Sequence, residues 1–125
     1  MAEHPNATLV RKALDALSDQ DMPALDASLA DDVEWHVIGA SEPIVGKAAM
    51  LQGMAAGNRD YSISVELHDV TASDDHVVAL VKAHAVRGDR TLAYNTAEIM
   101  HVKDGKISAR WAFSDDTARI VDFFG

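Results

Sequence analysis

In "NATLVRKALDALS", Leu9, Val10, Ala13, Leu14 and Leu17 recur at spacings of three and four, with Arg11, Lys12 and Asp15 between them. That spacing predicts one apolar face of a helix. Asp21 is placed to cap a second, short helix, with Pro23 in its first turn and Leu25 and Leu29 turned inward. "VEWHVI" then reads as a strand, whose alternation puts Trp35 and Val37 on one face and His36 on the other. A third helix is predicted from Lys47 to Ala56, with Met50, Leu51 and Met54 as apolar positions and Gly57 as its stop.

From Tyr61 onward the period changes to two. Tyr61, Ile63, Val65 and Leu67 alternate with Ser62, Ser64, Glu66 and His68, a strand with one buried face. "HVVALVKAHAVR" is the next strand, and Gly88-Asp89 turns the chain into "TLAYNTAEIMHVK". Asp104-Gly105 makes a tight hairpin turn into "KISARWAFS". Asp115 or Asp116 then caps a final short helix that presents Ile120, Val121, Phe123 and Phe124.

Three helices followed by a meander of long strands predict an α+β fold, with the helices gathered on one side of a curved antiparallel sheet. The strand at 76–87 carries Val77, Ala79, Val81, Ala83 and Ala85 on one face and Val78, Leu80, Lys82, His84 and Val86 on the other. Both faces are mostly apolar, which in an antiparallel sheet calls for cover on both. The helices cover one, and a second copy of the chain is the simplest cover for the other. A homodimer through the outer sheet face is therefore expected.

At 125 residues the chain is expected to form one domain over residues 1–125. Its 11 Lys and Arg against 20 Asp and Glu give a net charge of −9, which repels nucleic-acid phosphate and anionic lipid alike. Neither nucleic acid nor membrane is expected as a partner, and no apolar run approaches the length of a membrane span. The absence of cysteine excludes disulfides, thiolate zinc sites and a cysteine nucleophile. With no export signal visible in "MAEHPNATLV", a cytoplasmic location is the expectation.

The order of elements resembles the SnoaL-like branch of the nuclear transport factor two-like superfamily. Three stretches carry the resemblance: "LADDVEWHVIG" leading into "VGKAAM", then "MHVKDGKI", and the closing "SDDTARIVDFFG". The resemblance implies a cone of helices and curved sheet around an internal apolar pocket. Isomerases, dehydratases, epoxide hydrolases and polyketide cyclases use that pocket, as do members with no known chemistry. Ketosteroid isomerase, a relative, pairs a general-base aspartate with an oxyanion hole of a tyrosine and a protonated aspartate. Aligned through "ASEP", the general-base position falls on Val37, the oxyanion tyrosine on about Ala13 and the oxyanion acid on Glu98. Only Glu98 keeps its chemistry, so the standard isomerase mechanism is not expected.

Glu98 lies in "TAEIMHV", a strand long enough to be central. If it points into the pocket beside Tyr94, Thr96 and Met100, desolvation equips it as acid, base or hydrogen-bond donor. The alternatives are a surface position or a pairing with Arg110 on the neighbouring strand. His84 is a candidate general base, or else a hydrogen-bonded core or interface histidine. His4, His68 and His76 are expected in solvent, and His101 alternates away from Glu98. An epoxide-hydrolase-like site in this superfamily has an arginine two residues before a carboxylate, where this chain has Thr96. No metal-ligand spacing, phosphate loop, dinucleotide fingerprint or nucleophile elbow occurs, so neither metal nor cofactor is expected.

Two functions follow from these residues. One is an enzyme acting on a small hydrophobic, oxygenated molecule by acid–base isomerisation, dehydration or cyclisation. Glu98 and His84 are its polar actors, Tyr94 orients, Arg110 supplies a cation, and Trp35, Val37, Met54, Met100 and Trp111 are the walls. The other is a binding or accessory protein that uses the same pocket without turnover. The first depends on Glu98 and His84 converging.

Overall fold

The structure, a computed structural model, describes residues 3–125. The elements run α1 (Pro5–Asp19), α2 (Met22–Ser28), β1 (Leu29–Trp35), β2 (Ile44–Val45) and α3 (Lys47–Gly57), followed by β3 (Ser62–Ala72), β4 (His76–Arg87), β5 (Arg90–Lys103), β6 (Lys106–Ser114) and α4 (Thr117–Phe124). The strands form one six-stranded sheet in the order β2-β1-β6-β5-β4-β3. Neighbours are antiparallel except β1 and β6, which run parallel because β1 joins the far side of the meander from the helical half of the chain.

Local chemistry sets the element ends. The Asp21 carboxylate accepts from the Ala24 N–H at 3.2 Å and starts α2. Of the two aspartates that could cap α4, Asp116 does so, accepting from Arg119 N–H at 3.2 Å. Asp115 instead takes the Asn95 main-chain and side-chain N–H groups, which tie α4's leading loop to β5. Asp104 and Gly105 both have positive φ, 53° and 74°, the conformation a two-residue hairpin turn demands.

The sequence reading misplaces β1. The strand starts at Leu29, directly after α2, so Leu29 is a buried strand residue rather than the last inward position of the helix. The regular strand ends at Trp35, although His36 still donates its N–H to the Arg110 carbonyl at 2.9 Å. The loop after it contains a two-residue strand, β2, too short to show as a period.

The helical layer packs on one face of the sheet. Val77, Ala79 and Val81 on the inner face of β4 are buried in one cluster with Val10, Leu14, Leu25 and Met50 of the helices, and Ala85 in a second with Leu92, Ile120 and Phe123. The outer residues Leu80, Lys82 and His84 are exposed. A bulge between Leu67 and Asp69 leaves His68 without a partner on β4. Among the described residues no helix is long and apolar enough to cross a membrane.

β3 is the last strand of the sheet and would otherwise show bare backbone groups. Ser18 of α1 covers part of that edge. Its Oγ accepts from Val65 N–H at 2.7 Å and donates to the Val65 carbonyl at 3.2 Å. The Ser18→Ala substitution removes both partners of one residue, and about 1–3 kcal/mol of stability should be lost in urea denaturation.

Candidate functional site

The helical layer and the inner sheet face enclose a cavity of about 290 Å³. Leu14 and Leu17 of α1, Met50 and Met54 of α3, and Ile120 and Phe124 of α4 contribute the helical wall. Ile63, Val65, Ala83, Tyr94, Thr96, Glu98 and Arg110 form the wall on the sheet side. Trp35 closes one side, and Val37, 43% exposed, stands at the rim. Apart from Tyr61, Tyr94, Thr96, Glu98 and Arg110, the side chains lining the cavity are predominantly apolar.

Strand parity explains which groups meet. In the antiparallel register, Glu98 faces Ala79 and Ala112, Thr96 faces Val81, Tyr94 faces Ala83, and Met100 faces Val77 and Arg110. All of these side chains project to the inner face. The Arg110 Nε donates to Glu98 Oε1 at 2.9 Å, and their side chains are only 11% and 6% exposed. Thr96 Oγ1 donates to the other carboxylate oxygen at 3.0 Å. Arg110 Nη1 donates to the His36 carbonyl at 2.9 Å, and the guanidinium lies 4.6 Å from the Trp35 ring centroid. Glu98 is thus an acceptor engaged on both oxygens, and Arg110 is held from three directions.

Tyr94 shares this wall. Burial, reinforced by the Glu98 charge, pushes its phenol above the usual tyrosine range, while Arg110 opposes the shift. The hydroxyl is therefore a hydrogen-bond donor at neutral pH. Among the described residues no cluster of three or more His, Asp or Glu side chains is placed to hold a metal ion.

Three expected site residues lie elsewhere. His84 pairs with Ala93 and Ser64 on the outer face, exposed to solvent, one residue out of phase with Ala83 and thus on the opposite side of the sheet from Glu98. The convergence required of Glu98 and His84 does not occur. Trp111 follows Arg110 along β6, so it must point outward when Arg110 points in. It stacks on His36 with centroids 4.6 Å apart and planes 18° from parallel. Met100 does face inward, but it is buried in the main hydrophobic cluster and does not line the cavity. The remaining expected residues, Trp35, Val37, Met54, Tyr94, Thr96, Glu98 and Arg110, stand around the one cavity.

Sequence reasoning missed Tyr61 and the α4 wall as lining residues. Alternation with Ile63 and Val65 was a signal for Tyr61, whose hydroxyl also lies against Gly57, where a Cβ would meet it at 2.5 Å. For α4 the signal was the apolar set Ile120, Val121 and Phe124, but nothing in its period says where the helix docks.

The sequence matches the model of the SnoaL-like domain over residues 10–110. None of the curated proteins matches it. Among solved structures, an LEH-like epoxide hydrolase of M. tuberculosis superposes with a TM-score of 0.82 at 22% identity, covering 89% of this chain and 83% of its own. Bal32a, from a soil-derived mobile gene cassette, gives 0.86 at 22% identity over 97% of both chains. TerC, co-crystallised with polyporic acid, gives 0.83 at 17% identity over 97% and 98%. At these identities the likeness is one of fold.

Two outcomes test the site's electrostatics. The Arg110→Met substitution leaves a buried carboxylate without its cation and should destabilise the fold by about 3–5 kcal/mol, whereas Glu98→Leu combined with Arg110→Met should recover most of that loss. A urea-denaturation cycle over the four proteins measures both. Because the folded state holds the Tyr94 proton more tightly than the unfolded chain, stability should fall as the pH rises past about 10. Tyr94→Phe should remove that part of the slope in thermal melts between neutral and alkaline pH.

Proposed function

The chain belongs to the SnoaL-like domain family, and from that premise we propose that it binds a small hydrophobic, oxygenated molecule in the cavity, without metal or nucleotide cofactor. The observation that carries the reading is a single polar end in an otherwise apolar chamber. Apolar walls supply the affinity of such sites, and a few fixed polar groups supply orientation. Binding without turnover is the leading reading, because the second catalytic group that acid–base chemistry was expected to use, His84, is on the far side of the sheet.

A cofactor-independent isomerase or lyase is the second reading, and Glu98 is the reason to keep it. Its carboxylate lines the cavity with Arg110 and Tyr94 beside it, a base next to two donors. In such a reaction the C–H bond beside the ligand's oxygen-bearing carbon breaks, Glu98 takes the proton, and the electron pair moves toward the oxygen. The fold alone decides nothing here, since the same scaffold carries unrelated activities.

We propose further that two copies associate through the outer sheet face. Leu80 and Phe113 are 43% and 59% exposed there, beside Ile99 and Trp111. Despite the net charge of −9, the centre of this face carries few charges, chiefly Lys82 opposite Glu66 and Asp69 opposite Leu80. Two like-charged chains can therefore meet here with little repulsion. A lasting contact needs about 800 Å² per copy, an area that a six-stranded sheet face can supply.

A panel of hydrophobic ketones, alcohols and epoxides, screened by quenching of tryptophan fluorescence, tests the binding reading. At least one compound should bind, and Val37→Trp at the rim should weaken it by at least about tenfold. Catalysis has a separate readout: exchange of the bound compound's acidic C–H protons in D2O, followed by NMR. Exchange that is lost in Glu98→Gln would put the enzyme reading first. For the assembly, sedimentation velocity should give a dimer for the parent chain and a folded monomer for Leu80→Glu with Phe113→Glu.

A further inference from the structure

The polar end of the cavity is electrically closed but not saturated with hydrogen bonds. Glu98 and Arg110 cancel each other's charge at 2.9 Å, and both Glu98 oxygens are engaged. Arg110 is not used up. Its guanidinium donates from Nε to Glu98 and once from Nη1 to the His36 carbonyl, leaving one N–H on Nη1 and both on Nη2 without a partner among the described residues. Among the described residues the only sealed side-chain nitrogen or oxygen lacking a partner is His36 Nε2. Arg110 Nη2, which has no partner and is not sealed, is thus reached from open space, and Arg110 lines the cavity.

We infer that the cavity selects an uncharged ligand bearing a carbonyl-type oxygen, and that Arg110 is the residue that recognises it. The inference rests on the pocket reading above and adds the ligand's charge and functional group. An anionic ligand would bring a second negative charge close to Glu98 in a poorly solvated chamber, where like charges repel strongly. A cationic one would face Arg110 and find no carboxylate oxygen free of donors. A neutral oxygen with two lone pairs satisfies the waiting N–H groups and leaves the charge balance unchanged.

The surroundings suit that role. Stacking on Trp35 at 4.6 Å and the bonds to Glu98 and the His36 carbonyl fix the guanidinium plane, so its free edge is presented without loss of side-chain freedom. Tyr94 is near enough to both charges to be shifted by them, and its hydroxyl offers a further donor. Glu98 acts here as a positioning residue, through Arg110.

Three ligands of one shape separate the possibilities: 2-acetylnaphthalene, 2-naphthoate and 2-isopropenylnaphthalene, titrated by calorimetry at pH 7.5. The ketone should bind about ten- to a hundredfold more tightly than either of the others, the range expected for hydrogen bonds to a charged donor. Equal affinity for ketone and hydrocarbon would remove Arg110 from recognition. Tighter binding of naphthoate than of the ketone would overturn the neutral-ligand claim while leaving the pocket reading intact. No binding by any of the three, with Val37→Trp also silent across the wider panel, would remove the pocket reading itself.

Two variants test the mechanism. Glu98→Gln keeps one acceptor oxygen for Arg110 and turns an amide N–H toward the Thr96 hydroxyl, which can accept it, but frees the arginine's charge, so the preference should switch from ketone to naphthoate. A merely structural role for Glu98 would weaken all three ligands alike. Arg110→Lys retains the charge without the planar free edge and should reduce the ketone to about the affinity of the hydrocarbon; an unchanged ketone preference would overturn the assignment.

Discussion

The ion pair between Glu98 and Arg110 is the constraint around which the rest of the molecule is arranged. Two opposite charges, each nearly out of water, lose several kcal/mol of hydration and survive only with close geometry and further hydrogen bonds. The fold provides these from three strands. β5 contributes Thr96 and Glu98, β6 contributes Arg110, and β1 contributes the Trp35 ring, with the His36 carbonyl following directly after it. The short parallel contact between β1 and β6 therefore does more than extend the sheet. It carries the third support for a buried guanidinium, and it places the aromatic wall of the cavity directly beneath that group.

Much of this was legible in the chain. The helix faces, the alternating strands and the Asp104-Gly105 turn are local patterns, and local patterns survive folding. So does parity within a strand: Ala83 inside requires His84 outside. What period alone does not reveal is depth. Met100 and Glu98 share a face, yet one is locked in core and the other lines a cavity, because helix placement decides how far the open space reaches. Trp111 raises a related problem. The pairing of β5 with β6 shifts between His101 and Val102, so residues on β6 cannot be assigned a face by counting from the hairpin turn. Arg110 and Trp111 could not both line one pocket, but which of them did was settled by the register, not by composition.

The resemblance to ketosteroid isomerase, aligned through "ASEP", implies positions at which this chain lacks that enzyme's reacting groups. Where that chemistry needs a base, this chain has Val37 at the rim. Where it needs a phenol on the first helix, Ala13 is buried in core. In that alignment the carboxylate position falls on Glu98, whose partner here is an arginine rather than an apolar environment. A carboxyl group kept neutral by dry surroundings and a carboxylate neutralised by a cation are opposite solutions to burying the same residue. They suit different work: the first donates a hydrogen bond itself, and the second passes that task to its partner.

Trp35 and His36 are adjacent, as are Arg110 and Trp111, and the two dipeptides lie side by side in register. On the inner face Trp35 supports Arg110; on the outer face His36 stacks on Trp111. Two short stretches of chain thus serve the interior chamber and the exterior surface simultaneously. A shift of either backbone by one position would exchange both pairs at once, so the register that builds the chamber also decides which rings the outer face presents.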